Sequence, residues 1–154
     1  MPSVSVETDE PPSSVSHVIA DLLKGAGVDK TSIIRITGPA GLAALLWFCR
    51  HGYEQVGYVR GGPCPADDGD LVLAPQTCDV GELEAILKRG PHPRAGGVLI
   101  IQTPIPEDTA ASGGDPVHEL LNRNGYRVER CLRGHHRELH VARRRGVSLD
   151  RKAA

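Results

Sequence analysis

Apolar positions along this chain follow two rhythms, and the switches between them predict its elements. Residues 14–25 carry Val15, Val18, Ile19, Leu22 and Leu23 at helical spacing, with Ser13 or Ser14 placed to cap the start and Gly25 or Gly27 to stop it. SIIRIT, residues 32–37, is a β-branched run ended by Gly38, and reads as a buried strand. Residues 40–51, AGLAALLWFCRH, are apolar nearly all round and rich in helix formers, with Gly52 as the stop. EQVGYVR and DLVLAP read as the second and third strands, the latter stopped by Pro75. DVGELEAILKRG is a helix opened by Asp79 with Glu82 three residues on, a capping-box variant. GGVLIIQTP is an uninterrupted apolar run, as in parallel strands covered on both faces. After a loop over 104–114, Asp115-Pro116 opens a last helix with its proline at the first helical position. YRVERCL and RELHVARR, joined by RGHH, form a hairpin.

The resulting order, β-α-β-β-α-β-α-β-β behind one N-terminal helix, predicts a three-layer α/β fold with a largely parallel sheet and a C-terminal antiparallel hairpin. Residues 1–13 are rich in Ser, Pro and Glu and read as a disordered tail, 14–145 as one domain, and 146–154 as a flexible basic tail.

Composition narrows the function classes. Aromatics make up 3% of the 154 residues, which leaves few rings on which single-stranded bases could stack. Net charge is −1 but polarised: residues 1–21 hold Glu7, Asp9, Glu10 and Asp21 with no Lys or Arg, while 122–152 include Arg143-Arg144-Arg145. Without a reading motif, that basic stretch reads as solvated surface in preference to a nucleic-acid patch. The N-terminus lacks a secretory pattern, no apolar run reaches membrane-span length, and Cys49, Cys64, Cys78 and Cys131 show no CxxC pairing. A cytoplasmic protein with reduced thiols is expected.

The segment ITGPAGLAALLWFCRHGYEQVGYVR, then DLVLAP, AGGVLIIQTP, NGYRV and ELHVARR, resembles in order the class I, Rossmann-like S-adenosylmethionine-dependent methyltransferases over most of residues 32–145. In such a fold a glycine turn lets the ligand approach the backbone at a helix N-terminus, and a carboxylate about twenty residues later takes the ribose hydroxyls. The cofactor positions the resemblance implies are Gly38, Ala40, Gly41, Arg60 and Ala74. Two of them, Ala40 and Arg60, and the neighbouring Ile36 depart from the family pattern. Ile36 stands where an acid usually precedes the first glycine, Ala40 replaces the middle glycine, and Arg60 occupies the ribose-carboxylate position. A guanidinium has five donors and no acceptor, and it repels a sulfonium.

The chain is also short between its second and third strands. Only RGGPCPADDG intervenes, where the family places helix, strand and helix, so the third strand and its flanking helices are expected to be missing. Ten extended residues span roughly 33 Å, enough for a crossover without a helix. EQVGYVR then becomes a sheet edge.

Other constellations are weaker. GPAGLAALL also resembles the opening of flavin-dependent oxidoreductases, but Ile36 again replaces the first glycine and the chain is too short to cover a flavin. Cys131, His135, His136 and His140 form C-x3-HH-x3-H, a candidate zinc set. Alternation out of the turn separates His135 from the others, so no metal is expected. His118 reads as surface, Cys49 as an inert core thiol, and Asp67-Asp68-Gly69-Asp70 as a turn instead of a cation site. Ala74-Pro75-Gln76-Thr77 lacks the acceptor and aromatic ring that base-amine methyltransferases carry at this point.

The residues favour a non-catalytic binding or regulatory module, a pseudoenzyme with an eroded S-adenosylmethionine site. The alternative is a small active methyltransferase of unknown substrate. A bare edge strand and an apolar first helix (Leu42, Leu45, Leu46, Trp47, Phe48) predict a homodimer, with the Ser13–Gly25 helix as the competing cover and another protein partner also compatible.

Overall fold

The structure, a computed structural model, describes residues 18–59, 69–105 and 116–146. The expected tails, the Ser13 or Ser14 cap, Arg60, Cys64, Asp67, Asp68 and the Asp115 cap lie outside the described residues. Elements run in the expected order: α1 (residues 18–25), β1 (Ile33–Thr37), α2 (Gly41–Arg50), β2 (Gln55–Val59), β3 (Gly69–Thr77), α3 (Val80–Arg89), β4 (Pro93–Pro104), α4 (Pro116–Arg123), β5 (Tyr126–Arg133) and β6 (Arg137–Arg144). No helix among the described residues is long and apolar enough to cross a membrane.

One six-stranded sheet has the order β2-β1-β3-β4-β6-β5. β1 lies parallel between β2 and β3, with Ile34 opposite Leu71 and Ile36 opposite Leu73. The β5–β6 hairpin adds antiparallel to β4 through β6. With only residues 60–68 between β2 and β3, β2 is an edge of the sheet, as the short crossover predicted.

Period-2 alternation splits the aliphatic residues between two cores. Ile34, Ile36, Leu71, Val98, Ile100 and Val141 face α1 and α2, where Leu22, Leu23 and Phe48 close the layer. Val72, Ala74, Leu99, Ile101 and Ala142 face α3 and α4, which contribute Leu83, Leu87, Val117, Leu120 and Leu121.

Local signals hold where they are self-contained. The capping box forms in full: Asp79 Oδ1 accepts from Glu82 N at 2.8 Å, and Glu82 Oε1 accepts from Asp79 N at 3.0 Å. Gly52 and Gly125 end their helices with φ of +86° and +90°, in the region that only glycine enters without strain.

Three expectations about α1, α2 and β3 fail. Val18 is exposed, because the stripe that touches the sheet is Ile19, Leu22, Leu23 and Ala26 and Val18 lies at its rim. Cys49 is exposed, since α2 rests on one sheet face and turns Leu42, Leu46 and Cys49 outward. β3 continues through Pro75 to Thr77, with a register irregularity between Ala74 and Thr77. The missing proline N–H costs little there, and the Pro75 carbonyl accepts from Gln102 Nε2 at 2.6 Å.

The basic run is built into the fold. Arg143 donates to the carbonyls of Gly96 (2.8 Å) and Ala26 (3.0 Å) and pairs with Glu129 at 2.8 Å. Arg144 donates to Pro93 O at 2.6 Å, and Arg145 to Asn122. These guanidinium groups tie the last strand to the loops beside it.

Candidate functional site

The turn from β1 into α2 gathers Gly38, Ala40 and Gly41 at the carboxyl end of the central parallel strands, where open α/β sheets hold their ligands. Gly38 has φ +100°, a backbone state that requires glycine. Ala40 precedes the helix without any side-chain cap, and Gly41 N donates back to Gly38 O at 3.1 Å.

The space above this turn is filled by the chain itself. A Cβ on Gly41 would lie 2.2 Å from Tyr58 Cε1 and 2.6 Å from its Cδ1, so the aromatic ring covers the glycine directly. Tyr58 Oη donates to Gly38 O at 2.7 Å. Tyr58 reaches the turn because β2 is parallel to β1 and sets Tyr58 opposite Ile36, on the face that carries α2. In the sequence, Tyr58 stands inside EQVGYVR with no motif to mark it. Its alternation with Val56 toward α2, one residue before the end of β2, was the available signal.

The remaining candidates separate. Ile36 is wholly buried among aliphatic side chains, so no carboxylate approaches the turn from that position. Ala74 is buried in the opposite layer, among α3 and α4 contacts, while its neighbours Leu73 and Pro75 face α2. Arg60 lies outside the described residues.

Beside the turn, between α1, α2 and the strand ends, lies a cavity of about 350 Å³ whose walls include Leu22, Ala40, Trp47, Leu73, Pro75 and Gln102. Its lining is almost wholly apolar. The amide nitrogen of its one polar side chain, Gln102, is committed to Pro75 O. Such a lining suits a hydrocarbon group and, among the described residues, brings no charged side chain to a nucleoside.

Asp70 is structural instead of cation-binding. Its Oδ2 accepts from Ile33 N at 2.8 Å and its Oδ1 from Arg94 Nε at 2.6 Å. The Ile33 backbone donor, with Arg94 behind it, holds the carboxyl below the ordinary aspartate value against the opposing effect of burial. Burial, then the nearby Glu82 and Asp79, push the Cys78 thiol up to about 11.

The candidate zinc residues of the C-x3-HH-x3-H pattern do not stay together. His135 and His136 are exposed at the hairpin turn, while His140 is fully buried. His118, expected on the surface, is half-buried with its ring edge-to-face against His140, 5.2 Å between centroids. α4 packs over the hairpin and carries it there.

No family model and no curated protein matches the sequence. Solved structures do match the fold. Magnesium protoporphyrin IX methyltransferase from Synechocystis PCC 6803, solved with bound SAH, superposes with TM-score 0.55 at 12% identity, over 86% of this chain and 82% of that one. A putative transferase from Pyrococcus horikoshii gives 0.52 at 12% identity, over 79% of this chain and 60% of its own. The antibiotic-resistance methyltransferase Kmr gives 0.51 at 13%, over 81% and 92%. At such identities the likeness concerns fold alone. With its sheet order and its glycine turn, the chain has the Rossmann-like fold of the class I S-adenosylmethionine-dependent methyltransferases.

Proposed function

We propose that this chain is a non-catalytic binding module on a methyltransferase fold, its cofactor cradle closed by its own Tyr58. The observation that carries this reading is the Tyr58 ring lying on Gly41 with its hydroxyl bound to Gly38 O. A glycine in this turn normally lets a ligand approach the backbone. Here the close approach is made by a side chain. Ile36 in place of an acid, and an apolar neighbouring cavity, point the same way. Methyl transfer gains its rate from holding donor and acceptor together, so a chain without a donor site loses the main source of catalysis.

The surface left for a partner is α2 beside the β2 edge, where Leu42 is 66% exposed, Leu46 46% and Tyr58 41%. An edge strand flanked by apolar side chains is self-complementary about a two-fold axis, which favours a second copy of this chain as the occupant. α1 lies against the same sheet face and leaves these residues uncovered.

Calorimetry with S-adenosylmethionine and S-adenosylhomocysteine tests the closed cradle. No binding is expected at micromolar ligand. A micromolar dissociation constant for either would overturn the proposal and favour the active-enzyme alternative.

A further inference from the structure

On the sheet face opposite the cradle, three elements converge on one point. Cys131 of β5 and His140 of β6 are direct antiparallel partners, so their side chains stand together on one face of the hairpin. α4 covers that face and brings His118 against His140. One ligand atom from each of His118, Cys131 and His140 lies within 4.8 Å of the other two.

We infer that these three residues form a zinc site. Two neutral imidazoles and a thiolate are the nitrogen and sulfur donors zinc prefers. Tetrahedral bonds of about 2.0–2.1 Å to nitrogen and about 2.3 Å to sulfur place ligand atoms roughly 3.3–3.8 Å apart. With every separation within 4.8 Å, the cluster needs to contract by at most about 1–1.5 Å to reach that spacing. The ligand set differs from the local C-x3-HH-x3-H pattern, because His118 joins from a separate helix and His135 and His136 stay outside.

The surroundings supply an outer shell. His140 is fully buried, and its Nε2 lies 2.9 Å from Thr103 Oγ1, which leaves Nδ1 as the nitrogen assigned to the ion. Glu138, itself buried, places Oε1 3.7 Å from the same Nε2 while pairing with Arg133. A hydroxyl and a carboxylate behind a ligating imidazole fix its tautomer and orientation. Cys131 is exposed, so water completes the fourth position from the solvent side. Binding converts the Cys131 thiol to thiolate and releases one proton, with no change of oxidation state. The ion would clamp α4 to the β5–β6 hairpin.

Titrating the reduced, chelator-treated full chain with Zn2+ and with Co2+ tests the site. One ion per chain is expected, with the intense visible bands of tetrahedral Co2+ and a thiolate charge-transfer band. Cys131→Ser should remove the charge-transfer band, and Cys131→Ser and His118→Ala should each weaken binding at least tenfold. Because neither residue is buried in the core, both variants should remain folded, which far-UV circular dichroism checks. Thr103→Val, which keeps the shape and removes the outer-shell hydroxyl, should weaken binding about 10–100-fold. The double variant His135→Ala/His136→Ala should bind as the parent does. Absence of stoichiometric binding, indifference to Cys131→Ser and His118→Ala, or loss of binding in the His135/His136 variant would each overturn the site.

Discussion

The Tyr58 hydroxyl donates to the Gly38 carbonyl at 2.7 Å, and its ring covers Gly41 of the next helix. An edge-strand side chain therefore occupies the approach to the glycine turn, and two glycines 20 and 17 positions upstream of it accommodate it.

That arrangement predicts a coupling. Gly41→Ala gains up to about 1 kcal/mol in helix propensity. It must also displace the Tyr58 ring, an overpacking cost of about 1–3 kcal/mol. With Tyr58→Ala already present the ring clash is gone, and the gain is offset only by a tight contact with Ile36 Cγ2 at 3.2 Å. Denaturant unfolding of the four proteins should give an interaction energy of about 0.5–3 kcal/mol. Additive effects would mean that Gly41 and Tyr58 do not share this space.

Arg60→Asp restores the acceptor that ribose hydroxyls need, but the substitution acts only on an open cradle. The double variant Tyr58→Ala/Arg60→Asp should bind S-adenosylmethionine more tightly than Tyr58→Ala alone by about 1–3 kcal/mol, the scale of a charged hydrogen bond. Ligand-detected NMR at millimolar cofactor measures the comparison. Equal signals from both variants would show that position 60 does not control the pocket.

Self-association through α2 predicts a dimer in light scattering at high micromolar concentration. Leu46→Glu, on an exposed position, should yield a monomer with an unchanged melting temperature at low concentration. A parent protein that is monomeric at high micromolar concentration would refute the dimer.

Asp70 makes stability depend on acid. Its carboxyl is held below the ordinary value in the fold, so its contribution is complete above the unfolded pKa of about 3.9 and is lost as pH falls through the lower folded value. Asp70→Asn, which keeps one acceptor oxygen but loses the charge and the second acceptor, should flatten that acid limb and cost about 1–2 kcal/mol at neutral pH. Arg94, whose side chain is half exposed, contributes less than the Ile33 N–H does. Urea midpoints measured from pH 2 to pH 7 would expose a parallel limb in both proteins if Asp70 were irrelevant.

The described thiols should differ sharply in reactivity. Cys49 and Cys131 are exposed, whereas Cys78 is fully buried with a pKa pushed up to about 11. Iodoacetamide at pH 8 should label the first two in the native protein and Cys78 only after unfolding. Peptide mass spectrometry reads the pattern, and rapid native labelling of Cys78 would contradict the burial of β3's carboxyl end.

Much of this architecture is determined locally, which is why the sequence alone carried it. Hydrophobic period and turn residues act within a few positions, so the element order, the Asp79–Glu82 box and the Gly52 and Gly125 stops were all legible. A crossover confined to residues 60–69 was enough to predict the loss of a strand and an exposed β2 edge. What depends on where separate elements meet was not legible. The side of α2 that turns Cys49 outward depends on which of its faces the sheet takes. The passage of β3 through Pro75 depends on a Gln102 amide on the neighbouring strand. Tyr58 covers the glycine turn only because parallel pairing sets β2 in register with β1. His118 joins Cys131 and His140 only because α4 crosses the hairpin. A side chain's neighbours across such a distance follow from packing angle and register, and no window of the sequence contains either.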